Sequence, residues 1–194
     1  LRTGDVTVSV SKLFFGYALG TNLLFPFLAG ATSVLIPQKA TPERILEAVS
    51  LHRATLLCSV PTMLNAMASA ELEAGRYDWS SLRITTSAGE ALPPQLYERY
   101  VARFGHEVLD GIGSAELFHV YISNRPGDVT VGSLGKVVPG YEAKICDDDG
   151  RELPDGELGA LWIRGESMGL GYFMKTAETR KVFRGEWFVS ADKF

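Results

Sequence analysis

The chain has 194 residues, of which 46% are hydrophobic and 22% are charged, so it can bury a sizeable core. The formal net charge is -4 and no block of Lys or Arg occurs, which argues against a nucleic-acid partner. Cys58 and Cys146 lie far apart in apolar segments, without metal-ligand spacing. We therefore expect two free thiols and a reducing, cytoplasmic compartment.

The most hydrophobic window runs from Leu13 to Pro37 and is long enough to raise the question of a membrane span. It contains Thr21, Asn22 and Pro26, and it ends in β-branched residues. This composition predicts a buried helix followed by a buried strand, and no membrane association.

Between Val34 and about Ile122, short apolar runs alternate with segments of helical period. Thr41 and the Pro93–Pro94 pair are typical of helix starts. The alternation predicts an α/β fold, with a mostly parallel sheet and helices on both faces. After Asn124, frequent glycines, turn signals and alternating strands predict antiparallel β-structure. We divide the chain into an α/β subdomain over residues 1–126 and a β-rich subdomain over 127–194.

The stretch "DGIGSAELFH", Asp110–His119, has two glycines one residue apart, after an apolar run and before a possible helix. A dinucleotide-binding turn needs a third glycine where this chain has Glu116, and no Walker pattern occurs anywhere. The remaining interpretation is a strand that ends at Asp110, then a flexible Gly-Ile-Gly turn, the Ser114 hydroxyl and a carboxylate.

A second stretch, "TTSAGEALPP" over Thr85–Pro94, combines small residues, one carboxylate and a proline-started helix. Its unobstructed backbone suits the close approach of a flat ring or a phosphate. Glycine at one such turn often serves geometry alone. Two glycine-containing stretches at strand ends, separated by a single helix, favour a nucleotide pocket at one edge of the sheet.

Five stretches, in order along the chain, resemble motifs of the adenylate-forming superfamily of acyl-CoA synthetases, luciferases and carrier-protein adenylation domains. Within it the chain resembles the benzoate-CoA ligase group. The stretches are "KLFFGYALG", "TSAGEAL", "DGIGSAE", "GELGALWIRGESMGLGY" and "GEWFVSAD". The resemblance implies a piece of the large N-terminal domain, in which the β-rich segment forms part of a barrel. It also implies that an aromatic carboxylate is joined to CoA through an aroyl-adenylate, with ATP and Mg²⁺.

The resemblance carries nucleotide-binding roles to three groups of residues. Adenine would lie between Gly89, Glu90 and Ala91 on one side and Asp110, Gly111 and Ile112 on the other. The phosphates would lie near Gly113, Ser114 and Ala115, and the ribose hydroxyls at Asp192. Glu116 would be the catalytic carboxylate that holds Mg²⁺ against the phosphates.

The implied carboxylate-binding pocket takes an aromatic wall from Phe15 and Tyr17, a close approach at Gly16, and His119 at the far end of the motif helix. Small apolar pockets with few polar groups are the usual way to hold a benzene ring. Core packing is the alternative for both aromatic residues, and an ordinary interior histidine is the alternative for His119.

Two positions depart from the family pattern, since Ala115 replaces a Thr and Ala191 replaces a Gly. The missing hydroxyl at Ala115 removes a hydrogen bond to the α-phosphate, worth on the order of 1.5 to 3 kcal/mol. These departures keep open a non-catalytic module that binds an aromatic acid or adenylate. An adenylation enzyme that loads a carrier protein is a further alternative.

The ends of the chain bear on its expected activity. It begins without Met and stops just after a strand-like run, so we expect a fragment of a larger protein. The family's phosphate loop would lie upstream and its catalytic lysine downstream, and we therefore expect the fragment alone to be inactive. The particular aromatic acid and the oligomeric state stay open.

Overall fold

The computed structural model describes all 194 residues and arranges their strands in two sheets. The larger sheet has seven strands in the order β2-β1-β3-β4-β5-β6-β7. Its strands are β1 (Val6–Ser9), β2 (Thr32–Val34), β3 (Leu56–Ser59), β4 (Ile84–Ser87), β5 (Val108–Gly113), β6 (Val120–Ser123) and β7 (Lys136–Val137). Strands β1 to β5 are parallel, and β6 and β7 are antiparallel to the strands beside them.

Helices cover both faces of this sheet, as the sequence predicted. They are α1 (Gly16–Leu19), α2 (Phe25–Ala29), α3 (Pro42–His52), α4 (Pro61–Ser69), α5 (Pro94–Phe104) and, beside the smaller sheet, α6 (Thr176–Val182). Helices α3, α4 and α5 share a buried core with β1, β3 and β5. The segment from α1 to α2 lies on the opposite face, where the Thr7 hydroxyl donates to Asn22 Oδ1 at 2.7 Å. The predicted helix starts at Thr41 and Pro93–Pro94 are confirmed.

The smaller sheet confirms the expected antiparallel segment. Its strands are β8 (Tyr141–Cys146), β9 (Ala160–Gly165), β10 (Phe183–Arg184) and β11 (Trp187–Lys193), in the order β10-β11-β9-β8. Leu161, Ile163 and Phe188 of this sheet pack against Tyr121 of β6 in the larger sheet and against Leu117, which precedes β6. Strand β7 pairs within the larger sheet, and the division between residues 126 and 127 stays a prediction.

The Leu13–Pro37 window contains the predicted helix followed by a strand, but the prediction that both are buried was wrong. Between α1 and α2 the helix widens into a π-helical turn over Gly20–Leu24, just before Pro26, which has no N–H to donate. Leu28 is 87% exposed, and β2 is an edge strand without a fully buried residue. Hydrophobic content predicted burial but could not show which faces of these elements have a partner. No helix of the structure combines the length and the hydropathy needed to cross a bilayer.

The expected Gly-Ile-Gly turn and the helix after it were also wrong. Gly111 and Gly113 continue β5 and pair with β6, and Ala115–Leu117 form only a short 3-10 turn. A Cβ on Gly111 would lie 2.6 Å from the Ile122 carbonyl oxygen, and one on Gly113 would lie 2.5 Å from the His119 carbonyl oxygen. These glycines therefore permit close strand packing, which local sequence cannot distinguish from a turn.

At the opposite edge of the sheet, one buried carboxylate joins the amino ends of three neighbouring strands. Asp5, which is 2% exposed and precedes β1, accepts hydrogen bonds from Thr55 Oγ1 at 2.9 Å and Arg83 Nη2 at 2.6 Å. Thr55 directly precedes β3 and Arg83 directly precedes β4. Burial alone would raise the pKa of Asp5, but the bonds from Arg83 and Thr55 outweigh it and lower the pKa below its usual range.

We expect Arg83→Met to destabilise the protein by about 2 to 3 kcal/mol at pH 7, because it leaves the buried Asp5 carboxylate with only the exposed Arg2 side chain, 3.9 Å away, as a charged partner. Lys136→Met is the matched control, since it removes an exposed ion pair with Asp128, and should cost much less stability. Urea denaturation of the two variants tests this. Equal losses of stability would contradict a special role for Asp5.

Candidate functional site

A cavity of about 350 Å³, which we call the aromatic cavity, opens at the carboxyl edge of the larger sheet. All four residues of the predicted carboxylate-binding pocket line it. Its lining residues are Ser11, Phe15, Gly16, Tyr17, Val60, Ala88, Gly89, Gly113, Ser114, Ala115, Phe118, His119 and Val120. Aromatic rings, small residues and few polar groups form its wall, and such a wall suits a flat apolar ligand.

The histidine of the aromatic cavity is held in one tautomer. His119 Nε2 lies 3.1 Å from the Tyr17 carbonyl oxygen. A carbonyl oxygen can only accept, so Nε2 carries the hydrogen. Burial lowers the pKa of His119, and its ring packs edge-on against Phe25 with centroids 4.8 Å apart. A neutral imidazole keeps this part of the wall uncharged at neutral pH.

Glycines bring α1 and the following turn up to the 3-10 segment. A Cβ on Gly16 would lie 2.9 Å from the Phe118 carbonyl oxygen, and one on Gly20 would lie 2.5 Å from His119 Cδ2. Phe118 itself has a φ of 70°, which is strained for a residue with a side chain. The close approach expected at Gly16 is therefore present, and Gly20 supplies a second one.

A second cavity, of about 470 Å³, adjoins the first and is called here the strand-end cavity. It brings together the residues assigned to the two sides of adenine and the expected ribose ligand. Its lining residues are Gly89, Glu90, Ala91, Leu92, Asp110, Gly111, Ile112, Gly113, Gly132, Leu134, Asp192, Lys193 and Phe194. Gly89 and Gly113 line both cavities, whereas Ser114 and Ala115 line only the aromatic one.

Several buried polar atoms around the strand ends have no hydrogen-bond partner within the protein. Ser87 Oγ, Asp110 Oδ1, Ser114 Oγ and the Tyr121 hydroxyl belong to this group. Burial raises the pKa of Asp110 to about 6. Ser87 lies beside Asp110, and Ser114 lies beside Tyr121. Because buried polar groups are almost always paired in folded proteins, groups like these beside two cavities are completed by water or by a polar ligand.

Glu116 lies on the 3-10 turn and lines neither cavity. Its Oε1 accepts a hydrogen bond of 2.5 Å from the Tyr172 hydroxyl, and this bond raises the pKa of Tyr172 to about 12. No cluster of three or more His, Cys, Asp or Glu side chains could hold a metal ion on protein ligands alone. A single carboxylate still suits Mg²⁺ that is bound mainly by nucleotide phosphates.

Residues 1–173 match the family model described as AMP-binding enzyme. The chain belongs to this family. A benzoate–CoA ligase of Thauera aromatica is 43% identical over the whole chain, which spans 37% of that relative's length. The members compared are therefore much longer than this chain.

Two solved structures of AMP-binding enzymes share the fold along the entire chain. A benzoate CoA ligase from Burkholderia xenovorans LB400 has a TM-score of 0.93 and 43% identity, and the chain covers 39% of it. The anthranilate CoA ligase AuaEII in complex with anthranoyl-AMP has a TM-score of 0.95 and 42% identity, and the chain covers 37% of it. These likenesses confirm the resemblance to aryl-CoA ligases and to part of their N-terminal domain.

Some residues that line or approach the two cavities had no assignment from sequence. Ala88 and Leu92 lie within the "TSAGEAL" stretch and Phe118 lies within the "DGIGSAELFH" stretch, so an assignment of every residue in each motif would have included them. Gly20 follows Gly16 by one helical turn, which is a local signal for close packing. Leu134 and Gly132 come from the connection before β7, and only the folded chain brings them to the cavity.

The pKa of Asp110 leads to a test of nucleotide binding by the full-length protein. We expect ATP affinity to fall roughly fivefold between pH 7.5 and 5, because the expected hydrogen bond from the adenine amino group to Asp110 would weaken when that carboxylate is protonated. Asp110→Asn should remove this pH dependence, and Glu90→Gln, at the same cavity, should keep it. Calorimetric titration measures both. An unchanged pH dependence in Asp110→Asn would contradict contact between Asp110 and adenine.

Proposed function

We propose that the protein containing this chain is an ATP-dependent aromatic carboxylate–CoA ligase. The observation that carries the proposal is the pair of adjoining cavities, one apolar and ring-lined, the other lined by strand-end backbone and carboxylates. An aroyl-adenylate has the same two parts, an aromatic ring and a nucleotide. The similarity to a benzoate–CoA ligase and to an enzyme in complex with anthranoyl-AMP supports this proposal.

The aromatic cavity would bind the ring of the acid. Tyr17, Phe15 and the neutral His119 offer apolar surface, and the cavity holds no cation or carboxylate that would favour a charged substituent. Gly113 lies at the junction of the two cavities, so the carboxylate of the acid and the α-phosphate of ATP would meet beside it.

The strand-end cavity would bind the nucleotide. Adenine would lie between the Gly89–Ala91 backbone and the Asp110–Ile112 strand, with the unpaired Asp110 Oδ1 facing its amino group. Ile112 gives one side an apolar contact. The Asp192 carboxylate lines the same cavity and would accept hydrogen bonds from the ribose hydroxyls.

The reaction would proceed in two transfers. A carboxylate oxygen attacks the α-phosphorus of ATP, an acyl–phosphate bond forms and pyrophosphate leaves. The thiolate of CoA then attacks the acyl carbon and AMP leaves. The chain would contribute mainly by positioning the two reactants in adjoining cavities and by offering preorganised polar groups.

Glu116 would hold Mg²⁺, which, when bound, neutralises charge on the phosphate oxygens. The bond from Tyr172 occupies Oε1 of this carboxylate, and no hydrogen bond engages Oε2. Ala115 provides no hydroxyl for the α-phosphate. The neighbouring Ser114 Oγ is buried without a partner and is the hydroxyl that could replace it.

The cysteines of the chain and the proposed substrates support a cytoplasmic compartment for this reaction. Cys58 and Cys146 are both free and buried, which supports a reducing compartment. ATP and CoA as substrates favour the cytoplasm.

Carboxylate-dependent exchange of labelled pyrophosphate into ATP tests the proposal on the full-length protein. We expect exchange to be strongest with benzoate or a ring-substituted benzoate and weakest with a medium-chain fatty acid. Glu116→Gln should reduce exchange at least tenfold, since it removes the charge that would hold the metal. The matched control Glu178→Gln, in the exposed helix α6, should leave exchange unchanged.

Other outcomes separate the alternatives. Exchange without thioester formation on added CoA would support adenylation for a carrier protein. Binding of an aromatic acid without exchange would support a non-catalytic module, and exchange that favours the fatty acid would contradict the aromatic assignment.

A further inference from the structure

Tyr17 lies between two cavities, with its ring and its hydroxyl on different sides. The ring lines the aromatic cavity. The hydroxyl lies 2.7 Å from Thr86 Oγ1. Thr86 does not line the aromatic cavity but a separate one of about 720 Å³, which it shares with Thr21 and Cys58. The Tyr17 hydroxyl is thus bonded to a residue that lies outside the cavity that Tyr17 lines.

We propose that Thr86 is a specificity-determining residue that keeps the Tyr17 hydroxyl out of the aromatic cavity. The bound acid then meets only the apolar ring of Tyr17. This arrangement favours an unsubstituted aromatic acid over one that carries a ring hydroxyl. The inference rests on the proposed function, because it assigns the substrate preference of the same site.

The structure fixes Tyr17 at both its main chain and its side chain. The Tyr17 carbonyl oxygen accepts hydrogen bonds from Thr21 Oγ1 at 2.7 Å and from His119 Nε2 at 3.1 Å. Thr86 belongs to β4, a central parallel strand, where it pairs with Cys58 of β3 and Leu109 of β5. Because threonine is branched at Cβ, its hydroxyl has few available positions. The Thr86 hydroxyl is therefore a well-positioned hydrogen-bond partner for the Tyr17 hydroxyl.

Loss of the Thr86 hydroxyl would change the hydrogen bonding of the Tyr17 hydroxyl. The Cys58 thiol also lies beside the Tyr17 hydroxyl, but a thiol is a weak hydrogen-bond partner. A buried phenol that loses Thr86 would therefore gain by bonding a stronger polar group. A hydroxyl on the bound ring can supply that bond, whereas benzoate cannot. Sites that offer an unpaired polar group discriminate strongly for a ligand that satisfies it, while apolar walls discriminate weakly. Removal of the Thr86 hydroxyl should therefore shift preference toward hydroxylated acids.

The experiment compares kcat/KM for benzoate with kcat/KM for 3- and 4-hydroxybenzoate in the full-length enzyme. We expect Thr86→Val to lower the ratio of benzoate to the better hydroxybenzoate at least fivefold, with little change in KM for ATP. Thr86→Ser, which keeps the hydroxyl, should retain the original ratio. Tyr17→Phe should block the shift, so that the double variant Thr86→Val/Tyr17→Phe matches Tyr17→Phe alone.

Thr85→Val is the matched control. Thr85 precedes Thr86 on β4 and bonds the Tyr100 hydroxyl at 3.1 Å and His106 Nε2 at 2.8 Å, away from both ligand cavities. Its loss should reduce thermal stability and leave the substrate ratio unchanged. A ratio that is unchanged in Thr86→Val, or shifted equally in Thr85→Val, would overturn this inference alone. A parent enzyme inactive with every aromatic acid would overturn the proposed function and this inference with it.

Discussion

The parallel register of β4 and β5 is the constraint on which the site depends. Ser87 pairs with Asp110, so both strands reach the same edge of the sheet at the same level. The loop after β4 and the extension of β5 therefore run side by side, and together they contribute the glycines that both cavities share. A shift by one residue would turn Asp110 to the other face and separate these elements.

The buried carboxylates at the two edges of the sheet differ in their hydrogen-bond partners. At the amino edge, the Asp5 carboxylate is satisfied by Thr55 and Arg83, and the contacts fix three strands. At the carboxyl edge, Asp110 Oδ1 and Ser114 Oγ are buried without partners. Unpaired buried groups destabilise a fold, so their concentration where the cavities meet is consistent with a site that a polar ligand completes.

Sequence alone predicted the features that depend on neighbouring residues. The alternation of short apolar runs with helical segments led to the parallel sheet, and Thr41 correctly marked the start of α3. The residues carried over from the family motifs line the two cavities, except Glu116. The features that sequence analysis missed depend on contacts between residues that are far apart in the chain. Gly111 and Gly113 form a strand because β6 pairs with them, and Tyr172 reaches Glu116 across 56 positions of the chain. No local pattern encodes such a contact.

A crystal structure of the full-length protein with a non-hydrolysable aroyl-adenylate analogue tests the central claim most directly. We predict that the aromatic ring occupies the cavity beside Tyr17 and His119, and that adenine lies between Gly89–Ala91 and Asp110, within hydrogen-bonding distance of the carboxylate. An analogue bound outside these cavities, or one with its adenine in the aromatic cavity, would contradict the account.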